Sequence, residues 1–103
     1  MPFAIAEDAD GQLAIEMVGD AADEEEMLDL LWRGFRDRSD DLVAVVVAED
    51  VYIPSLESDA LQIYSEHRER IAVETTAPYR RKRLRRSLEF GEFLLAPGIL
   101  RVW

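Results

Sequence analysis

A chain of 103 residues, 49% of them apolar and 33% charged, has the length of one domain and the balance of a packed core beneath an ionised surface, which excludes intrinsic disorder. Its 22 acidic residues against 12 basic ones set a net charge of -10, which argues against binding nucleic acid with the whole surface. Cysteine is absent, so disulfides, a thiolate nucleophile and cysteine-ligated metal are excluded.

The first elements are two short strands. Phe3 and Ile5 alternate with Ala4 and Ala6, and Leu13, Ile15 and Met17 alternate with Gln12, Ala14 and Glu16, the period of two expected when one sheet face is buried. The acidic turn Glu7-Asp8-Ala9-Asp10-Gly11 between them lacks the later ligands of an EF-hand loop and reads as a hairpin turn, not a calcium site. A helix is predicted from about Ala21 or Ala22 to Asp37, with Asp20 as its N-cap and Asp23 to Glu26 favoured by the helix dipole. Leu28, Leu31, Trp32 and Phe35 fall on one face at i, i+3, i+4 and i+7, with Met27 at its margin. Glu26, Asp29, Arg33 and Asp37 form the other face, and Leu30 points toward it, a candidate for contact with a partner.

Leu42 to Ala48 is a continuous apolar run without polar alternation, the pattern of a central strand covered on both faces, with Val51 to Ile53 as an extension. Ser55 or Ser58 is expected to cap a second helix, whose stripe is Leu56, Ala60, Ile63, Tyr64, His67 and Ile71. Ala72 to Thr76 reads as a strand closed by Pro78, Tyr79 to Glu89 as a short basic helix, and Phe90 to Ala96 and Ile99 to Trp103 as strands joined by Pro97-Gly98. The expected fold is therefore α+β: one domain over residues 1–103, with a mixed or antiparallel sheet of about five to six strands, two main helices and a short basic helix. The apolar final residues Val102 and Trp103 are expected to be docked.

The chain contains no phosphate loop, no Gly-x-Gly-x-x-Gly, no His-Glu-x-x-His and no Gly-x-Ser-x-Gly, so no catalytic residue, cofactor or metal is assigned. His67, the one histidine, lies within the apolar stripe and reads as a core or interface residue. The acidic clusters Asp23–Glu26, Asp40-Asp41 and Glu49-Asp50 read as solvated carboxylates. The longest apolar run is far shorter than the roughly 20 residues that cross a bilayer, so the expected setting is cytoplasmic, without a membrane partner.

Charge is the main functional clue. Residues 1–77 sum to -15 and residues 78–103 to +5, and six of the seven positions from Arg80 to Arg86 are cationic: Arg80, Arg81, Lys82, Arg83, Arg85 and Arg86. With Tyr79 beside it, this segment can pair with carboxylates of the same chain or of a second copy, dock an acidic protein, or hold phosphates while Tyr79 stacks on a base. Nine aromatics and unavoidable sheet edges favour self-association as a homodimer. The expectation is a non-enzymatic interaction or regulatory module, homodimeric, that uses its acidic helix and the 80–86 segment for protein contacts. The alternatives are a nucleic-acid-associated protein binding phosphates through 80–86, and a small cofactor-free enzyme working with carboxylates.

Overall fold

A computed structural model describes residues 2–17, 23–82 and 87–103, the Lys82 side chain excepted. Strands β1 (Phe3–Asp8) and β2 (Leu13–Glu16) form a hairpin, followed by helix α1 (Glu24–Asp37) and the long strand β3 (Leu42–Ile53). A single 3-10 turn at Pro54–Leu56 leads into β4 (Ser58–His67), β5 (Ile71–Lys82), β6 (Ser87–Phe90) and β7 (Leu94–Pro97). The strands build one sheet in the order β2-β1-β3-β4-β5-β6, with β7 also paired to β5, and every pairing is antiparallel.

The hairpin turn has a local cause. The Asp8 carboxylate accepts from the backbone N–H groups of Asp10 and Gln12, both at 2.9 Å, while Gly11 takes φ +79°. The start of α1 is capped by Asp23, whose carboxylate accepts from Glu26 N–H at 2.8 Å. The expected cap, Asp20, lies outside the described residues. Leu31, Trp32 and Phe35 are buried beneath the helix and Leu28 partly so, as their spacing requires. They meet Ala4 and Ala6 of β1, and Leu42, Val45 and Val47 of β3, in one apolar cluster.

The expected two main helices and short basic helix are corrected: among the described residues there is one α-helix, and seven strands replace the predicted five or six. The segment read as a second helix is β4, paired over its whole length to β3 and over Asp59–His67 to β5. Its apparent stripe divides between the two sides of the strand: Ala60 and Tyr64 share the helix side, and Ile63 and His67 the other. Apolar residues on both sides of a strand imitate helical spacing, and pairing on two flanks overrides the local preference. Ser58 starts β4 and donates its hydroxyl to the carbonyls of Asp59 and Tyr79, at 2.8 and 3.3 Å.

Strand β5 also runs past Pro78, which was expected to close it. Pro78 lies between the stretch paired to β7, which ends at Thr76, and the stretch paired to β6, which begins at Tyr79. Its carbonyl accepts from Gly91 N–H at 2.9 Å, so its missing N–H faces that gap and no ladder bond is lost. The predicted basic helix is thus the end of β5 and the start of β6, with residues 83–86 outside the described part. The last five residues, expected as a strand, carry no strand pairing. Gly98 N–H instead donates to Ala72 carbonyl at 2.9 Å, and the chain crosses onto the helix side of the sheet.

Three successive amides then reach one buried carboxylate. Glu66, 4% exposed, accepts from Arg101 N–H at 2.7 Å, from Val102 N–H at 3.0 and 3.2 Å and from Trp103 N–H at 2.8 Å. Trp103 Nε1 donates to Ser39 carbonyl at 3.3 Å, and the Arg70 guanidinium donates to Trp103 carbonyl at 3.0 Å. The Arg101 guanidinium lies over the rings of Tyr64 and Trp32, 4.8 and 5.3 Å from their centroids, and 3.5 Å from Glu74. The final segment is therefore docked. Among the described residues, no helix is long and apolar enough to cross a membrane.

Candidate interaction surfaces

Alternation places consecutive strand residues on opposite sides of the sheet, so the residues that α1 covers identify those it leaves uncovered. Ala4, Ala6, Val45 and Val47 face the helix. Phe3, Ile5, Leu13 and Ile15 therefore face away from it, with Val46 between Ile5 and Ser65 in the cross-strand register. The hairpin pattern correctly groups its large apolar residues on one face, and that face is the one the helix does not touch.

The uncovered face is built from rows that run across the strands. One row is Ile15, Ile5, Val46, Ser65, Val73 and Pro97, and the next is Phe3, Ala48, Ile63, Thr75 and Leu95. Neither row contains a charged residue. Toward one end follow Leu13, Glu7, Ala44, His67 and Ile71, and toward the other Asp50, Leu61 and Ala77. Leu13 is 69% exposed, Ile15 74% and Leu95 71%. An antiparallel sheet with one wet side ordinarily alternates apolar and polar residues, and this one does not.

The residues singled out for their charge stand elsewhere. Arg80 and Arg81 are exposed on opposite sides of β5, Lys82 ends that strand, and Arg83, Arg85 and Arg86 fall outside the described residues. Tyr79 is buried: its O–H donates to the Asp50 carboxylate, 2.6 and 2.8 Å from its two oxygens, and its ring meets Phe90. That hydrogen bond, reinforced by burial, raises the Tyr79 pKa. Leu30 is 37% exposed on the outer side of α1. His67 is half-buried on the uncovered side of β4 and accepts from Glu69 N–H at its Nδ1, 3.1 Å away.

Comparison with protein-family models, with curated proteins and with solved structures finds no match.

A cleft of about 480 Å³ opens where Arg80, Glu89, Phe90, Glu92, Leu94 and Pro78 meet. Among the described residues, no three carboxylate or imidazole groups converge to hold a metal. On the helix side, Tyr64 donates its O–H to Glu49 at 3.1 Å, and burial together with the Glu49 charge pushes the Tyr64 pKa up to about 12. Its ring packs edge-on against Trp32, with centroids 6.2 Å apart, so this polar group supports the core.

Charge in the sequence drew attention to residues 79–86, whereas the feature set apart by the fold is an apolar face contributed by six strands. Its signal was present in Leu42 to Ala48, whose lack of alternation implies cover on both sides. The helix supplies cover on one.

Proposed function

We propose that this chain is a non-enzymatic protein-interaction module whose principal contact surface is the uncovered face of the sheet. The observation that carries this reading is the pair of uncharged central rows, from Ile15 to Pro97 and from Phe3 to Leu95. Contiguous apolar patches larger than a few hundred Å² are uncommon on chains that act alone and mark sites of contact. Arg80 and Arg81 stand beyond the β5 end of this surface and the acidic outer side of α1 faces the opposite way, so these charges steer encounter rather than supply its affinity. A nucleic-acid role draws less support, because Tyr79, the aromatic available for stacking on a base, is buried and bonded to Asp50.

Site-specific photo-crosslinking in the producing cell tests the reading. A photoreactive side chain at Ile15 or Leu95 should give discrete protein adducts, and one at Arg33 on the outer side of α1 should not. The mass of each adduct identifies its partner. Adducts from Arg33 alone, or none from either position on the sheet, would refute the proposal.

A further inference from the structure

We infer that the occupant of the open face is a second copy of this chain, packed sheet against sheet about a two-fold axis; this rests on the reading of that face as a protein contact surface. Area is the first reason. The nineteen positions of the four rows, about 4.8 Å apart between strands and about 6.8 Å apart between rows, make a face on the order of 600 Å² per copy, at the lower end of the roughly 600–1,000 Å² per partner of a standard stable interface.

The distribution of side-chain size is the second. The central strand β3 presents the small groups Ala44, Val46 and Ala48, beside Ser65 and Ile63 of β4, while Phe3, Leu13, Ile15 and Leu95 stand toward the edges. Two twisted sheets stacked at about -30° approach most closely at their centres and splay toward their corners. Small residues in the middle and large ones at the rim fill such a gap, and a second copy has the same twist by construction.

Charge is the third. Two chains that each carry -10 repel, so a contact between copies must lie where carboxylates are missing. The outer side of α1, with Glu26, Asp29 and Asp37, fails that condition. The two central rows satisfy it, and the nearest carboxylates, Glu7 and Asp50, stand in the outer rows. A two-fold contact sets each patch against its own image, which an uncharged centre permits without like-charge opposition.

The test is the molar mass of the full chain by sedimentation equilibrium from about 1 to about 200 µM, with far-UV circular dichroism to confirm folding. Wild type should reach twice the chain mass. Val46→Glu should raise the dimer dissociation constant by on the order of 100-fold or more, because it places a charge against its own image in an apolar centre. Ser65→Lys should do likewise without removing an apolar side chain, so it decides the matter where Val46→Glu fails to fold. Arg33→Ala should change nothing. A monomer throughout that range overturns the second-copy inference while leaving the contact-surface reading to the crosslinking result. A dimer indifferent to folded Val46→Glu or Ser65→Lys likewise overturns the second-copy inference, and the contact-surface reading again rests on the crosslinking result.

Discussion

Replacing Glu66 by Gln perturbs the carboxylate that anchors the final segment and changes little else in size. In wild type its two oxygens accept four hydrogen bonds, between 2.7 and 3.2 Å, from the amides of Arg101, Val102 and Trp103. Hydrogen bonds to a charged group contribute about 1.5–3 kcal/mol each. The glutamine retains one acceptor oxygen and turns an NH2 toward donors, so either the Arg101 or the Trp103 amide loses its partner and Val102 N–H keeps one of its two. The segment keeps its other attachments, the Trp103 Nε1 bond to Ser39 and the Arg101 stack on Tyr64, so the expected net loss is about 2–4 kcal/mol rather than the full sum. For a domain of this size that lowers the melting temperature by roughly 10–25 °C. Thermal unfolding at fixed protein concentration reads the shift, and amide exchange at residues 101–103 should accelerate before the strands open. A melting temperature within about 2 °C of wild type, with those three amides still protected, would refute the anchoring role of Glu66.

Two glycines should respond in opposite directions to alanine. At Gly98 an added Cβ would lie 3.0 Å from Val73 N and 3.1 Å from Ala72, against backbone that cannot yield locally, so Gly98→Ala should cost about 1–3 kcal/mol in denaturant unfolding. At Gly34, within α1, the added Cβ meets open space, so Gly34→Ala should gain about 0.5–1 kcal/mol, and a loss there would contradict the helix geometry. Tyr64 makes stability depend on alkaline pH. Its pKa of about 12 lies above the usual value of 10.0, so its contribution is intact below pH 10.0 and is lost as pH rises toward 12, where the unfolded chain has already ionised. The denaturant midpoint should fall less over that interval in Tyr64→Phe than in wild type, and equal falls would contradict the burial and the Glu49 contact that together raise its pKa.

The parts of the fold that were legible in the sequence are those with a single periodicity. Leu28, Leu31, Trp32 and Phe35 admit only a helix with one buried side, and Leu42 to Ala48 is too short and too β-branched for anything but a buried strand. Strand β4 reads as a helix because Ala60 and Tyr64 serve the helix side while Ile63 and His67 serve the open side, so two strand faces together imitate one helical stripe. The hairpin shows the other limit. Alternation groups Phe3, Ile5, Leu13 and Ile15, yet the side on which a helix packs depends on the connection after β2, and the small residues Ala4 and Ala6 receive α1 because its bulky Trp32 and Phe35 need the room. The candidate surface is assembled from six strands distant in sequence, so no local window contains it. The basic run at 80–86 was conspicuous because it is local.

The open face can be tested through the relative accessibility of three side chains. In the single chain Ile15 is 74% exposed, Leu95 71% and Leu30 37%. With methyl-labelled protein and a soluble paramagnetic probe at about 200 µM chain, Leu30 should relax faster than Ile15 and Leu95, the reverse of their order in the single chain, and dilution should restore that order. Ile15 and Leu95 relaxing faster than Leu30 at every concentration would show that no second copy covers the sheet.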